Sequence, residues 1–153
     1  EQRWLQPLGS SEVTVKQVAP GVYIGDIEDA GSGERLVDAG ITAVVKLTHA
    51  APDAGYPDAV TVADHRMVDG PQNDPDAFAG AVRVATDLLD QGETVLVHCK
   101  RGTSRSGAVV AAVVAQREGT DLSTALGRVQ RRKSDINPHR ALLRHAELVV
   151  SHG

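Results

Sequence analysis

The segment around Cys99 constrains the fold more than any other part of this 153-residue chain. An apolar run, 95–97, ends in His98, and Cys99 then opens a stretch of glycine, serine and basic residues that continues to Gly107. An alanine- and valine-rich stretch typical of a buried helix comes next. The pattern predicts a strand that delivers Cys99 into a tight loop, and a loop that leads into the N-terminus of a helix.

A loop of this kind is built to hold an anion. Successive backbone N–H groups that turn into one concavity, with a helix N-terminus behind them, form an anion site. Gly102 relieves the steric limits on the turn, and the planar guanidinium of Arg105 is suited to bind two phosphoryl oxygens. The same field lowers the pKa of a thiol from about 8.5 to roughly 3.5–7.5. We therefore expect Cys99 to be a thiolate at neutral pH.

The neighbours of Cys99 are expected to support this chemistry. His98 points to the opposite face of the strand, where its ring orients loop carbonyls, and Ser106 donates a hydrogen bond to the sulfur. The alternative for Cys99 is a buried structural thiol, since free cysteine packs like a small hydrophobe. Arg105, Ser106 and the glycines favour a functional thiol. The predicted substrate-binding residues are Lys100, Arg101, Gly102, Thr103, Ser104 and Arg105.

The order His-Cys-x5-Arg-Ser at 98–106 resembles the signature of the cysteine-dependent protein tyrosine phosphatases. The modest size of the chain is similar to that of the dual-specificity branch. Weaker similarities lie at 22–26, at the apolar segment 40–48 and at Asn137-Pro138, so that the resemblance extends from about Val18 to Val149. The resemblance implies an α/β fold, hydrolysis through a cysteinyl-phosphate intermediate, and no cofactor or metal.

The resemblance also implies a general acid that follows a strand and opens a loop about thirty residues before the cysteine. Asp69, followed by Gly70-Pro71, matches that placement. Asp74 precedes Pro75 and an apolar-periodic run, which is typical of a helix N-cap. Asp64 belongs to a predicted strand, and Asp76 would lie in the first turn of the helix. Asp64 and Asp74 remain alternatives, and Asp69 itself has the alternative of a solvated turn residue.

Strands that alternate with helices predict one α/β domain with a mostly parallel central sheet flanked by helices. We expect an N-terminal arm at 1–12, in which Trp4 and Leu5 are apolar, and a catalytic domain at 13–153. The predicted strands are 22–25, 41–48, 60–68 and 94–98. The predicted helices are 33–39, 75–91, 106–118, about 120–133, and a last one that starts at Asn137-Pro138.

The charge distribution has two readings. The net charge of −4 does not favour nucleic-acid binding. Between positions 100 and 133 the sequence has eight basic residues and two acidic residues. A basic region near the loop would steer an anionic substrate toward it. Four of these cations lie near a predicted helix C-terminus, where they also offset the helix dipole: Arg128, Arg131, Arg132 and Lys133.

The chain carries no apolar run long enough to span a bilayer and no signal-peptide pattern at its start. Its single cysteine allows no internal disulfide, which favours a reducing compartment, with the cytoplasm as the expected one. The spacing of the six histidines predicts no metal site.

The expected substrate is a phosphorylated protein, dephosphorylated either at phosphotyrosine alone or also at phosphoserine and phosphothreonine. A phosphoinositide or RNA 5′-phosphatase would use the same loop. Lys100 resembles a cation of lipid-directed members, whereas Thr103 stands where their second lysine is expected. A phosphopeptide-binding module without catalysis and a redox enzyme, such as an arsenate reductase or rhodanese, are further alternatives. Arsenate reduction would need additional thiols, which this chain lacks.

Overall fold

The structure is a computed structural model that describes residues 15–152. The predicted N-terminal arm at 1–12, with Trp4 and Leu5, lies outside the described residues. Among residues 15–152, none of the helices is both long and apolar enough to cross a lipid bilayer.

In the part of the chain that the structure describes, five short strands form one sheet in the order β1-β2-β5-β3-β4. They are β1 (Lys16–Ala19), β2 (Val22–Gly25), β3 (Ala43–Lys46), β4 (Thr61–Asp64) and β5 (Val95–His98). The β1–β2 pair is antiparallel, and the other three pairs are parallel. The prediction of an α/β domain with a mostly parallel sheet is confirmed. Because the parallel strands end at the same edge, their C-terminal residues lie side by side there.

Within residues 15–152, six helices surround the sheet. They are α1 (Ile27–Ala30), α2 (Gly33–Ala39), α3 (Pro75–Asp90), α4 (Arg105–Glu118), α5 (Leu122–Arg132) and α6 (Arg140–His152). The α3 helix begins as predicted, with the Asp74 side chain accepting from the Asp76 N–H and Pro75 at its first position. Every residue of α4 from Ser106 to Ala115 is buried, which makes α4 the central helix of the domain.

The core lies on both faces of the sheet. On one face, inward side chains of β5 such as Val95 and Val97 pack with the apolar sides of α3, α4 and α6. On the other face, Leu96 packs with Val44 and Leu36 in a smaller cluster. All four residues of β5 are buried. The strand that carries His98 to the functional loop is therefore held rigidly at the centre of the sheet.

Strand β1 is absent from the sequence predictions, β3 is shorter than the predicted 41–48, and three further elements differ from the predictions. The one-turn helix α1 was not anticipated; a reciprocal capping box between Asp26 and Asp29 forms it. Strand β4 is shorter than the predicted 60–68, although the Met67 N–H still donates to the Leu47 carbonyl beyond its end. Helix α6 begins at Arg140 rather than at Asn137-Pro138, because the backbone of the preceding segment is bonded to the loop that follows β5.

Candidate active site

A cavity of about 500 Å³ opens where β5 ends, between the loop after Cys99 and the loop after β4. Gly102 and Ser106 are buried and His98 lies on the strand below; the other predicted site residues line this cavity. The lining residues are Asp69, Cys99, Lys100, Arg101, Thr103, Ser104, Arg105, Asn137 and His139. The structure thus brings together side chains from three separate segments of the chain.

The sulfur of Cys99 is the floor of the cavity, with the residue 2% exposed. The Ser106 hydroxyl lies 3.2 Å from Sγ, and the Gly102 N–H donates to Sγ at 3.3 Å. Burial alone would raise the pKa of the Cys99 thiol. The hydrogen bonds from Ser106 and Gly102, together with the charge of Arg105, outweigh burial and lower that pKa below its ordinary value. The site therefore favours the thiolate, which is the nucleophilic form.

His98 lies behind the loop rather than in the cavity. Its Nδ1 is 3.4 Å from the Cys99 carbonyl oxygen, and its Nε2 is 2.8 Å from the Tyr56 hydroxyl. Burial lowers the pKa of His98 to about 4, so the ring is neutral at physiological pH. Because a carbonyl accepts only, Nδ1 carries the proton and Nε2 accepts from Tyr56. His98 thus holds the Cys99 peptide in place from the opposite face.

Three carbonyls of the loop point outward to donors from other segments. The Ile27 N–H donates to the Lys100 carbonyl at 3.2 Å, and the Asn137 N–H donates to the Thr103 carbonyl at 2.9 Å. The Nζ of Lys133 donates to the Gly102 carbonyl at 2.9 Å. In a trans peptide the N–H points away from the carbonyl. Outward carbonyls therefore turn the intervening N–H groups toward the cavity, as an anion site requires.

Position 102 requires glycine for two reasons, its backbone conformation and the closeness of a neighbouring strand. Its φ is +73°, which side chains rarely allow, and an added Cβ would stand 2.8 Å from the carbonyl carbon of Gly25. The loop is therefore packed directly against the end of β2. This close approach positions the Gly102 N–H beneath the sulfur.

Arg105, the first residue of α4, reaches across the cavity toward the loop after β4. Its Nη1 donates to the Met67 carbonyl at 3.1 Å. Its Nε is buried and has no hydrogen-bond partner among residues 15–152. A buried donor of a charged group is costly to leave unpaired. The guanidinium is therefore fixed through Nη1, and the Nε donor is left for a bound anion.

Asp69 lines the same cavity as Cys99. The Ser104 hydroxyl donates to Asp69 Oδ1 at 2.6 Å and accepts from the His139 N–H at 2.9 Å. Buried Asn73 closes the base of the same loop, because its Oδ1 accepts from the Val68 N–H at 2.9 Å. These contacts hold the Asp69 carboxylate over the cavity that contains the sulfur.

Residues 22–147 match the family model of the dual specificity phosphatase catalytic domain. The chain belongs to this family. It is 33% identical over 138 residues to mouse dual specificity phosphatase 28, covering 86% of this chain and 83% of that protein. It is 31% identical over 140 residues to human dual specificity protein phosphatase 9, covering 87% of this chain. The match spans only 35% of the length of that human protein.

The fold of this dual specificity phosphatase domain also matches solved structures. The crystal structure of a mouse putative dual specificity phosphatase complexed with zinc tungstate superposes with a TM-score of 0.82 at 26% identity. The superposition covers 91% of this chain and 87% of the mouse chain. The predicted resemblance to the dual-specificity branch is confirmed by the family model and by these relatives.

The other carboxylates near the dual specificity phosphatase site have structural partners. Asp64 accepts from Arg66 at 2.8 Å and from Lys46 at 3.2 Å, and these partners lower the pKa of Asp64 to about 2. Asp74 is the N-cap of α3, as described above. Neither residue lines the cavity. Of the three carboxylates Asp64, Asp69 and Asp74, Asp69 is the one that lines the cavity together with Cys99.

A second cavity of about 530 Å³ adjoins the first, and the two share Lys100. It lies between α1 and residues 50–54, and its walls include Glu28, Arg35 and Asp53. No group of three His, Cys, Asp or Glu side chains within residues 15–152 is arranged to hold a metal ion.

Sequence reasoning missed three residues that hold the loop: Tyr56, Lys133 and Asn137. Tyr56 was assigned only to a loop, although an aromatic residue in a segment rich in proline, glycine and aspartate was a signal. Lys133 was grouped with three arginines at a helix end. The sequence predicts a helix start at Asn137, whereas its N–H donates to the Thr103 carbonyl and the residue lines the cavity.

Proposed function

We propose that this protein hydrolyses phosphate monoesters of phosphorylated proteins, at phosphotyrosine and also at phosphoserine and phosphothreonine. One observation carries the proposal: Cys99, Arg105 and Asp69 line a single cavity, and a buried N–H of Arg105 lacks a partner among the described residues. Membership of the dual specificity phosphatase family supports it. Residues 13–153 are proposed as the catalytic domain.

In the first proposed step the Cys99 thiolate attacks phosphorus in line with the leaving oxygen. The S–P bond forms as the P–O bond breaks, and Asp69, as a carboxylic acid, protonates the leaving oxygen. Arg105 and the inward N–H groups of 100–105 bind the equatorial oxygens and stabilise their charge in the transition state. The products are the free alcohol or phenol and a cysteinyl phosphate.

In the second proposed step water attacks phosphorus and the S–P bond breaks. The Asp69 carboxylate takes a proton from the water, and the bonding electrons return to sulfur. Ser106 stabilises the departing thiolate through the hydrogen bond at 3.2 Å. Inorganic phosphate leaves, and neither step requires a cofactor.

The test is phosphate release from a small aryl phosphate by the purified protein. We expect turnover by the wild type, and a fall of at least about 10⁴-fold in kcat for Cys99→Ser, because the nucleophile is lost. Ser123→Ala, on the exposed side of α5, serves as the control and should keep wild-type turnover. Full activity in Cys99→Ser, or an inactive wild type that binds phosphopeptide without releasing phosphate, would overturn the proposal.

The substrate class is tested with a panel of initial rates. Phosphotyrosine and phosphothreonine peptides are expected to be better substrates than a phosphoinositide or an RNA 5′-triphosphate. A preference for either of the last two would assign the same loop to lipid or RNA chemistry.

We also propose that the protein works in a reducing compartment, with the cytoplasm as the expected one. The support is chemical: the reaction needs Cys99 as a thiolate, and the chain has no second cysteine to rescue an oxidised sulfur as a disulfide. Localisation of a tagged full-length protein by microscopy tests this proposal.

A further inference from the structure

Lys133 is a buried cation outside the cavity. It caps the C-terminal end of α5, and the residue is 5% exposed. Its Nζ donates to the Gly102 carbonyl at 2.9 Å and to Asp135 Oδ1 at 2.7 Å. Burying an ammonium group is unfavourable unless it is well paired. A buried lysine bonded to a loop 31 residues away therefore needs a reason beyond surface charge.

Compensation of the helix dipole accounts for the positions of the arginines near Lys133 but not for the buried side chain of Lys133. Arg128, Arg131 and Arg132 are exposed and lie in the last turns of α5, where cations are favourable. Lys133 differs from them because its side chain turns away from solvent and underneath the loop. Its position indicates a role in the loop itself.

The bond from Lys133 acts on the peptide that joins Gly102 to Thr103. With its carbonyl held outward, the N–H of this trans peptide points the opposite way, toward the cavity that Thr103 lines. Gly102 at φ +73° has no Cβ to oppose a rotation of this peptide. The Gly102 N–H, which donates to the sulfur, is in the same residue. A rotation there would disturb the anion site and the thiolate together.

The neighbouring carbonyls are held differently. Those of Lys100 and Thr103 accept from backbone N–H groups, so no single side chain controls them. The Gly102 carbonyl accepts from a side chain. Of these three peptides, the Gly102–Thr103 peptide is the one whose orientation a point substitution can release.

We propose that Lys133 is a positioning residue for the phosphate-binding loop, which it serves by locking the Gly102–Thr103 peptide in the anion-binding orientation. This inference rests on the proposed phosphatase function. Lys133 touches neither the substrate cavity nor the sulfur, and it acts through Gly102.

The experiment compares Lys133→Met with Lys133→Arg and with Arg132→Met, which removes the same charge from the adjacent exposed position. Each variant is assayed for aryl phosphate turnover, inhibition by inorganic phosphate, and the pH dependence of Cys99 alkylation by iodoacetate. Thermal unfolding of each variant reports whether it is folded. Alkylation and phosphate inhibition depend on the loop, whereas a purely structural defect would show in unfolding.

For Lys133→Met we expect phosphate affinity and kcat/KM to fall by roughly tenfold to a hundredfold, because misplaced binding groups are this costly. The alkylation profile should move to higher pH as the Gly102 bond to sulfur loosens. Lys133→Arg should retain most of the wild-type phosphate affinity and kcat/KM and a nearly unshifted alkylation profile. Arg132→Met should match the wild type. If Lys133→Met does not fold, Lys133→Gln, one atom shorter than lysine, replaces it with the same expected losses.

Wild-type phosphate affinity and an unmoved alkylation profile in the folded Met or Gln variant would overturn the inference. So would losses of the same size in Arg132→Met, since they would show an effect of net charge. An inactive wild type would instead contradict the proposed function, and the alkylation and phosphate-binding measurements would still distinguish the two failures.

Discussion

The two loops that meet over Cys99 are held in different ways. The phosphate loop, 98–106, is fixed from behind by donors from three other segments, and its glycine packs against the end of β2. The acid loop, 65–74, has backbone bonds at its start, from the His65 and Met67 N–H groups to the Lys46 and Leu47 carbonyls. Beyond Met67, the side chain of Ser104 joins it to the phosphate loop through Asp69. Val68, next to Asp69, is 42% exposed.

This difference matches what each loop has to do in the proposed reaction. The oxygens of the phosphoryl group need the same donors in both steps, and a rigid backbone supplies them without reorganisation. The carboxylate must first reach a leaving oxygen and later a water. A loop that is attached by side-chain hydrogen bonds can adjust between these positions more readily than one built into the core.

The largest expected effect that sharpens this comparison comes from the acid itself. Asp69→Asn should lower kcat by on the order of 100-fold for an alkyl phosphate, because general acid catalysis is lost. The loss should be much smaller for an aryl phosphate with a good leaving group, and inhibition by phosphate should be unchanged.

Asp64→Asn is the matched control for that substitution. It alters the ion pairs with Arg66 and Lys46 but no residue of the cavity, so it should leave the dependence on leaving group as in the wild type. If Asp64→Asn rather than Asp69→Asn gave the steeper dependence, the assignment of the acid would be wrong.

A smaller effect is expected when the tether between the loops is cut. Ser104→Ala removes the donor to Asp69 and the acceptor for the His139 N–H. We expect kcat for an alkyl phosphate to fall by about tenfold, in line with the loss of one hydrogen bond to a charged group. Phosphate inhibition should change little, since the backbone of the phosphate loop stays bonded elsewhere. A large loss of phosphate affinity with intact leaving-group dependence would contradict the division of labour between the loops.

The smallest effect concerns stability and the rear support of the phosphate loop. The pKa of His98 is lowered from 6.5 to about 4 by burial, so the unfolded chain takes up a proton before the folded protein does. This contribution to stability is present above pH 6.5 and is lost as pH falls toward 4. As the pH falls from 6.5 to 5.5, the partial loss of this contribution lowers the free energy of unfolding by about 1 kcal/mol.

Urea unfolding of the wild type and of His98→Gln at these two pH values measures the contribution of His98. The fall in unfolding free energy should be smaller in the variant by the stated amount. Asp64, whose pKa is held at about 2, titrates below this window and does not interfere. An equal fall in both proteins would show that His98 does not carry the effect.

The parts that could be predicted from the sequence are those whose chemistry is local. The loop signature lies within one run of the chain. Asp74 and Pro75 predict the start of α3 because they directly precede its residues. Asp69 was assigned as the candidate acid because a strand, a turn and a spacing are all visible in one segment. In each of these cases the decisive neighbours are a few positions away.

The rest depends on contacts that no local pattern records. Tyr56 meets His98 across 42 residues, and Lys133 meets Gly102 across 31. The predicted helix start at Asn137 was wrong because the tertiary structure uses that backbone for the Thr103 carbonyl. The hydrogen bond from the Asn137 N–H to the Thr103 carbonyl outweighs the local capping preference there.

The outward bonds of the phosphate loop make catalytic competence a property of the whole domain. A fragment that stopped after α4 would retain every residue of the His-Cys-x5-Arg-Ser motif but would lack Lys133 and Asn137. The N–H groups of its loop would not be held in one orientation, and the fragment would bind no phosphate. Turnover should therefore vanish in step with global unfolding, and it can serve as a sensitive reporter of how much of a population has reached the native state.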